Sequence, residues 1–298
     1  MAEKVLLIVN PVSGKIALKP RLWQVVEKLC AAGLEPTVKF TQKKGDAEEF
    51  ARACSEEYGR VICAGGDGTL NETISGLMKN PISHTLGYIP VGTTNDLANS
   101  LNIPRDISKA VDSIIEGHSH SIDIGSFNDK YFNYIASFGA FTEASYNAPQ
   151  EVKNTLGHAA YLIEGLKSLG NIVPLQVKFT FDDKVLEDRF IFAAISNTTS
   201  VGGLLKFDEN LVAMNDGLFE VLLVKEPKNL NRLQKIIGEL LSQNFSQDLV
   251  SLYHTSSIKV ETQEKLEWTL DGEHQSGCGE VVIKNLPHAV KIIVPKKK

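Results

Sequence analysis

The pattern of apolar and polar positions divides the chain into two halves with different periodicities. In the first half, apolar and extended runs predict four strands of a buried parallel sheet, at 5–9, 36–41, 61–64 and 86–90. Helical spacing of apolar side chains predicts helices at 22–29 and 46–57, between these strands. This alternation of strands and helices indicates a parallel sheet with right-handed crossovers.

In the second half the pattern changes to short strands with few helices between them. Runs of strands after an α/β half predict a separate antiparallel sandwich or barrel. Helices are predicted only at 151–169 and 230–241. The predicted fold class is α/β plus β: a Rossmann-like α/β domain over 1–122, rejoined by a final strand at 290–298, and an antiparallel β-sandwich domain over 123–289.

Polar loops that contain glycine follow the predicted strands of the first half. Asn10, Thr41 and Gly65 each lie at the carboxyl end of a strand, which is the edge of a parallel sheet where ligands bind. A fourth loop, at 91–98, combines a glycine with helix-capping residues. The convergence of these loops predicts a nucleotide site rather than a set of ordinary polar turns.

The loop at 65–69 has the sequence Gly-Gly-Asp-Gly-Thr and leads into a helical pattern. Unpaired N–H groups at such a turn attract phosphate. An aspartate there would repel bare phosphate, so Asp67 indicates a cation such as Mg²⁺ between the carboxylate and the phosphates, or a contact with a neutral group of the nucleotide. The dinucleotide fingerprint and the Walker A pattern are both missing. The alternative is a tight turn in which Asp67 caps the helix.

Two turns of the second half carry carboxylates next to predicted strands. Asp216 precedes a strand in the sequence Asn-Asp-Gly, and Asp271 and Glu273 follow an apolar strand. Ordinary turn chemistry is the simpler explanation for both sequences. A phosphoryl-transfer enzyme, however, needs a carboxylate that accepts the proton of the acceptor hydroxyl. The pair after the apolar strand is the candidate for that role.

Composition narrows the classes of function. The 298-residue chain has a net charge of −5 and a sequence pI near 5.9, which argues against a general nucleic-acid binder. Its four cysteines have neither metal-ligand spacing nor disulfide density, so we expect free thiols in a reducing compartment. No apolar segment approaches the ~20 residues of a membrane span. The expected location is cytoplasmic.

Taken together, the motifs resemble those of the bacterial diacylglycerol-kinase-like lipid kinases. The sequence at 65–69 is similar to the GGDGT signature shared by diacylglycerol, sphingosine, ceramide and NAD kinases, and 90–98 matches the PxGTxNDLA block of the lipid-kinase branch. The stretches 10–15, 197–203 and 271–273 also occur in the order typical of that family. The resemblance implies an NAD-kinase-like α/β domain and a β-sandwich domain, with ATP and Mg²⁺ bound between them.

The resemblance also implies roles for individual residues. The implied nucleotide contacts are Asn10, Pro11, Val12, Ser13, Gly14, Thr41, Gly66, Asp67, Gly68, Thr69, Leu70, Asn71, Glu72 and Thr94. Asp216 and the carbonyls of Ala213 and Leu218 are implied to hold a structural Mg²⁺, although the usual Pro-x-Ala element before this site is absent. Glu273 is implied as the proton acceptor, with Asp271 close to the reaction and Asp67 positioning the phosphates through metal and water.

The implied function is an ATP- and Mg²⁺-dependent lipid kinase that transfers the γ-phosphoryl group to a lipid hydroxyl, with diacylglycerol as the expected acceptor. A homodimer is also implied, because members of the family form dimers. Such an enzyme would associate transiently with a membrane, and Lys15, Lys19, Arg21 and Lys167 are candidates for contact with anionic headgroups. The alternatives are an NAD kinase and a non-catalytic lipid- or nucleotide-binding regulator.

Overall fold

The computed structural model describes residues 2–13, 19–139, 173–182, 184–198, 200–201, 205–206 and 214–296. The chain forms two compact units, one made of Met1–Ile124 with Pro287–Lys298 and the other of Gly125–Leu286. Several features of interest lie outside the described residues: the predicted helix at 151–169, Gly14, Lys15, Lys167 and Ala213. The side chain of Lys19 is likewise not described.

The first unit contains a parallel sheet. Its strands are β1 (Glu3–Val9), β2 (Leu34–Phe40), β3 (Arg60–Gly65), β4 (Thr85–Pro90) and the C-terminal part of β15 (Glu273–Val294). They lie in the order β15-β4-β3-β1-β2, and every neighbouring pair is parallel. The parallel sheet predicted for the first half is therefore confirmed. Its last strand runs beside β4, with Lys291 opposite Thr85.

Helices connect the strands of this sheet and cover it. They are α1 (Leu22–Ala31), α2 (Asp46–Arg52), α3 (Asp67–Met78), α4 (Asp96–Ser100) and α5 (Ile107–Glu116). Strand β1 is buried on both faces from Val5 to Val9, as expected for a parallel strand with helices on either side. On one face, Val5 and Leu7 belong to a core cluster that includes Leu29 of α1 and Ile114 of α5.

Helix α2 is shorter than its sequence pattern predicts. It ends at Arg52, whereas the prediction continued to residue 57. The side-chain amide of Asn80 donates hydrogen bonds to the carbonyl oxygens of Ala51 (3.1 Å) and Cys54 (2.8 Å). These bonds satisfy carbonyl groups that a longer helix would satisfy with its own N–H groups. The prediction was wrong because the cap comes from a residue distant in sequence.

The second unit is antiparallel. Its strands are β5 (His118–Phe127, which begins in the first unit), β6 (Lys130–Phe132), β7 (Ile135–Gly139), β8 (Leu175–Phe181), β9 (Lys184–Ser196), β10 (Ser200–Val201), β11 (Leu205–Lys206), β12 (Phe219–Lys225), β13 (Val250–Thr255), β14 (Ser257–Leu270) and the first part of β15. The long strands β9 and β14 each pair with β7 along one part and with β8 along another. The strands therefore wrap around a common interior, and the predicted antiparallel β domain is confirmed.

Aromatic side chains fill this interior. Phe138 and Trp268 pack edge to face with ring centroids 4.8 Å apart, and Phe179 and Phe190 do the same at 4.9 Å. Such pairs add ~1 kcal/mol each to the stabilisation from burial alone. The core of the second unit thus brings together strands that are far apart in sequence.

The opposite face of the β9-β12 sheet packs against α6 (Leu230–Ser242). Leu222 of β12 and Ile236 of α6 are both buried in this second cluster. The side chain of Asn229 caps the helix by accepting a hydrogen bond from the N–H of Arg232 (2.9 Å). The helix predicted at 230–241 is confirmed. Among the described residues, no helix combines the length and apolarity that crossing a membrane requires.

Candidate functional site

The loops after β1, β2, β3 and β4 lie side by side at the carboxyl edge of the parallel sheet. The N–H of Asn10 donates to the carbonyl of Ala64 (2.9 Å), and the N–H of Thr41 donates to that of Val9 (2.9 Å). The N–H of Val91 donates to the carbonyl of Gly65 (3.0 Å). The hydrogen-bond ladder thus continues just past the ends of the strands and aligns the four loops. The sequence predicted this arrangement from the positions of the strand ends alone.

Side chains of the first loop bind the third loop directly. The Asn10 amide Nδ2 donates to Thr69 Oγ1 (2.9 Å), while its Oδ1 accepts from the N–H of Val12 (3.1 Å). The N–H of Gly66 donates to Ser13 Oγ (3.3 Å). These bonds hold the chain from Asn10 to Ser13 against the Gly-Gly-Asp-Gly-Thr turn.

Helix α3 starts directly at this turn. Its N-cap is Gly66, whose backbone is extended and which has no side chain to cap the first N–H groups. Such N–H groups, together with the positive end of the helix dipole, favour an anion. The arrangement suits a phosphate group.

Two glycines allow the third and fourth loops to approach each other closely. A Cβ added at Gly92 would lie 2.6 Å from the Cα of Gly66 and 2.7 Å from Oδ1 of Asn95. Real Cβ atoms do not make contacts that short with backbone. The Gly-bearing turn at 91–98 is therefore required for the packing of these two loops.

We expect Gly92→Ala to separate the two loops and to weaken ATP binding by about tenfold or more, since overpacking costs roughly 1–3 kcal/mol. Calorimetric titration of the folded variant with ATP would measure the change. Gly238→Ala in α6 is the control, because nothing lies within 4 Å of a Cβ added there. Equal ATP affinity in the two variants would contradict the expectation.

Asp67 connects the third and fourth loops through its carboxylate. Oδ2 accepts a hydrogen bond from the N–H of Asn95 (2.8 Å), and Oδ1 accepts one from the N–H of Asp96 (2.9 Å). Burial raises the pKa of Asp67, and hydrogen bonds from the N–H groups of Asn95, Asp96 and Asp67 itself oppose the increase. The carboxylate therefore holds the start of α4, and it also accepts a hydrogen bond from its own backbone N–H at the start of α3.

Asn95 completes this connection, and sequence reasoning missed it. Its backbone is left-handed, with φ of 52°. Its Oδ1 accepts hydrogen bonds from the N–H of Gly92 (2.9 Å) and the hydroxyl of Tyr88 (3.2 Å), and its Nδ2 donates to the carbonyl of Gly92 (2.7 Å). The tolerance of asparagine for left-handed backbone was the available signal. Asp96, directly after Asn95, is a second acidic residue at this edge that the sequence analysis did not name.

The remaining predicted nucleotide contacts differ in how accessible they are. Glu72 Oε1 accepts a hydrogen bond from the N–H of Gly45 (2.9 Å) and so ties α3 to the loop after β2. The carbonyl of Thr94 accepts from Arg105 Nη2 (2.7 Å). Thr41 and Leu70 are buried, and Leu70 has its side chain in the interior of the unit. Leu70 could therefore contact a ligand only through its backbone.

In the second unit, Asp271 and Glu273 have different environments. Asp271 is buried, and its carboxylate accepts hydrogen bonds from the N–H groups of Asn133 (2.6 Å), Tyr134 (3.0 Å) and Ile135 (3.1 Å). Glu273 is exposed at the start of β15. Three hydrogen bonds occupy most of the acceptor capacity of a carboxylate. Of the two, only Glu273 presents its side chain to solvent.

The turn between β14 and β15 explains how this pair is arranged. Asp271 and Gly272 both have positive φ, 49° and 84°, as in the tight hairpin turns that match the twist of antiparallel strands. Glu273 then pairs with Leu270 across the hairpin. The Asp-Gly sequence thus acts as a turn former, and it places Glu273 at the first position of the return strand.

The predicted cation site is partly described. Asp216 Oδ1 accepts a hydrogen bond from the N–H of Leu218 (3.0 Å), and the Leu218 carbonyl accepts one from Asn285 Nδ2 (3.1 Å). A carboxylate and a carbonyl are the hard oxygen ligands that Mg²⁺ prefers. Glu220, two residues further on, is buried, and neither carboxylate oxygen has a hydrogen-bond partner among the described residues. The donor chemistry therefore fits Mg²⁺, although within the described ranges no three His, Cys, Asp or Glu residues form a metal-binding group.

Burial, together with the nearby charge of Asp216, raises the pKa of Glu220 to about 8. Without Mg²⁺, the protonated form is thus favoured in the folded protein below that pH. Its stabilising contribution should be complete below the ordinary carboxyl pKa and should be lost as the pH rises through about 8. We expect the free energy of unfolding in urea to fall between about pH 5 and pH 9, and Glu220→Gln to remove this part of the fall. An equal dependence of the free energy of unfolding on pH in both proteins would contradict the raised pKa of Glu220.

Comparison with known proteins agrees with these features. The diacylglycerol kinase catalytic domain matches residues 4–127, and the YegS C-terminal NAD kinase beta sandwich-like domain matches residues 136–294. The diacylglycerol kinase of Bacillus subtilis is 36% identical over 98% of this chain and 96% of its own length. That of Staphylococcus carnosus is 35% identical over 99% of this chain and 96% of its own.

A solved structure of a diacylglycerol kinase is also similar to this chain over nearly its full length. The crystal structure of a diacylglycerol kinase from Bacillus anthracis superposes with a TM-score of 0.76 and 27% identity, covering 98% of this chain and 97% of that one. The similarity thus extends over both units, and the resemblance inferred from the motifs is confirmed. The chain belongs to the diacylglycerol kinase family.

Proposed function

We propose that the protein is a lipid kinase that transfers the γ-phosphoryl group of ATP to the free hydroxyl of diacylglycerol and forms phosphatidic acid. The observation that carries the proposal is the alignment of four loops at the carboxyl edge of the parallel sheet, where the N-terminus of α3 meets the Gly-Gly-Asp-Gly-Thr turn. Relatives named diacylglycerol kinase, similar over nearly the full chain, support the choice of acceptor.

In this proposal the hydroxyl oxygen of the lipid attacks the γ-phosphorus, and the bond to the ADP oxygen breaks. Glu273 accepts the proton of the hydroxyl, since its carboxylate is exposed. The N–H groups at the start of α3 bind phosphate oxygens, with positioning as their main contribution. Mg²⁺, when bound, would offset the negative charge of the phosphates. Asp216 and the Leu218 carbonyl would hold the structural cation.

Asp67 and Asp271 have supporting roles in this mechanism. The hydrogen bonds of Asp67 to Asn95 and Asp96 hold two of the phosphate-binding loops together. Asp271 anchors the turn that precedes Glu273. We therefore treat both as positioning residues, which refines the direct roles that the family resemblance implied. Asp67 could still contact a cation through water with its remaining lone pairs.

The test is transfer of labelled γ-phosphate from ATP, in the presence of Mg²⁺, to diacylglycerol in mixed micelles, with NAD as a parallel acceptor. Label in phosphatidic acid is the expected result. Label in NADP instead would overturn the lipid assignment in favour of an NAD kinase. Binding of ATP without transfer to either acceptor would favour a non-catalytic regulator.

We further propose that the enzyme associates transiently with the membrane that contains its substrate, and that it forms a homodimer. The first proposal follows from the low water solubility of diacylglycerol. The second follows from the family resemblance alone. Light scattering of the purified protein would measure its mass, and a monomer at micromolar concentration would contradict the dimer.

A further inference from the structure

Two large apolar side chains of the first unit are unusually exposed. Val12 is 82% exposed and Trp23 is 75% exposed, the highest values among the large apolar side chains of the described residues. Val12 lies in the loop after β1, and Trp23 is the second residue of α1. An exposed tryptophan leaves a large apolar ring in water, and its amphipathic side chain suits an interface between an apolar and a wet environment.

The basic residues nearest to Trp23 in the sequence precede it, and the nearest acidic residue follows it. Lys19 and Arg21 directly precede the helix, and no Asp or Glu occurs between Val12 and Trp23. Arg21 is itself exposed. The first acidic residue after Trp23 is Glu27, one helical turn further along α1. The exposed side chains of Arg21 and Trp23 thus both lie at the N-terminal end of α1.

We infer that the protein docks on anionic lipid bilayers through Trp23, with Arg21 two residues before it in the sequence. Tryptophan rings prefer the headgroup level of a bilayer, where one part of the ring is apolar and the N–H remains hydrated. Basic side chains next to such a ring are attracted by anionic headgroups. The inference rests on the proposed function, which requires a substrate that resides in a bilayer.

The two tryptophans of the chain make this docking surface directly measurable. The sequence contains only Trp23 and Trp268, and Trp268 is fully buried in the second unit. A change in tryptophan emission on adding vesicles therefore reports on Trp23. We expect vesicles of phosphatidylglycerol and phosphatidylcholine to shift the emission to shorter wavelengths, and brominated lipids to quench it. Trp23→Phe, which keeps an apolar ring, should abolish the shift.

Sedimentation with the same vesicles measures affinity without a tryptophan signal. Trp23→Ser should weaken binding by about tenfold, from the loss of the buried apolar area. Arg21→Gln should weaken it by about fivefold, and only on anionic vesicles. Leu230→Ser is the matched control, because Leu230 is 68% exposed at the start of a helix in the other unit. We expect Leu230→Ser to bind the vesicles with the same affinity as the unchanged protein.

Neither the fluorescence measurement nor the sedimentation measurement uses ATP or turnover. Their outcomes are therefore independent of the kinase assay. Vesicle binding with unchanged Trp23 emission, or equal affinity of Trp23→Ser and the unchanged protein, would overturn the inference. Absence of vesicle binding would also overturn it, even if the kinase assay on micelles succeeds. Vesicle binding through Trp23 in a protein without kinase activity would support the docking surface and contradict the proposed reaction.

Discussion

Replacing Glu273 by glutamine is expected to lower kcat for diacylglycerol phosphorylation by about 10²–10⁴-fold, the usual contribution of a general base. Glutamine keeps the size of the side chain and cannot accept the proton. Glu273 is exposed at the start of β15. We therefore expect the substitution to change the free energy of unfolding by less than ~0.5 kcal/mol, as surface changes usually do. Steady-state kinetics with ATP in excess would measure the change in kcat.

Glu280→Gln is the control for this experiment. Glu280 is another exposed glutamate of β15, and it pairs with Lys259 at 2.8 Å. We expect its kcat to stay within about twofold of that of the unchanged protein, since such surface ion pairs contribute ~1 kcal/mol or less to stability. A Glu273→Gln variant with normal kcat would show that another group takes the proton.

Replacing Asp271 by alanine is expected to lower the free energy of unfolding by about 3–5 kcal/mol, because three N–H groups at or near the surface of the core would lose their acceptor. Alanine is also disfavoured at the positive φ of 49° that this residue adopts. Asp271→Asn should lower the free energy of unfolding by less, because its one amide oxygen can still accept hydrogen bonds. Urea unfolding followed by tryptophan fluorescence would measure both variants, since the buried Trp268 lies on the adjoining strand.

Asp129→Ala provides the comparison for Asp271→Ala. Asp129 is exposed in the turn between β5 and β6, and we expect a change of less than ~0.5 kcal/mol. The positioning role also predicts that Asp271→Asn recovers stability and activity together. An Asp271→Ala variant with unchanged stability and lost turnover would instead mean that this carboxylate takes part in the chemistry.

The parts of the fold that depend on local pattern could be predicted from the sequence. Apolar runs such as 5–9 identify buried parallel strands, and the residues that follow them, Asn10 and Thr41, were therefore expected at one edge of the sheet. The antiparallel second unit and the helix at 230–241 followed from periodicity in the same way. These predictions succeeded because strand burial and helix amphipathicity are properties of neighbouring residues.

The parts that depend on distant partners could not be predicted. The early end of α2 depends on Asn80, and the hydrogen bonds of Asp67 go to residues 28 and 29 positions away. Asp271 accepts hydrogen bonds from the N–H groups of residues that are 136 to 138 positions away in the sequence. A sequence pattern shows that a carboxylate follows a strand, but not whether its side chain is buried or exposed. Distinguishing Asp271 from Glu273 therefore required the structure.

The position of the last strand has a consequence for synthesis of the protein on the ribosome. Residues near the C-terminus, including Ile292 and Ile293, are buried in the first unit, and β15 covers the edge of β4 there. The nascent N-terminal segment therefore has an unpaired strand edge at β4 until β15 has emerged from the exit tunnel, and such edges invite aggregation. We expect a fragment that ends at residue 127 to be poorly soluble even though it contains every strand-end loop of the nucleotide site.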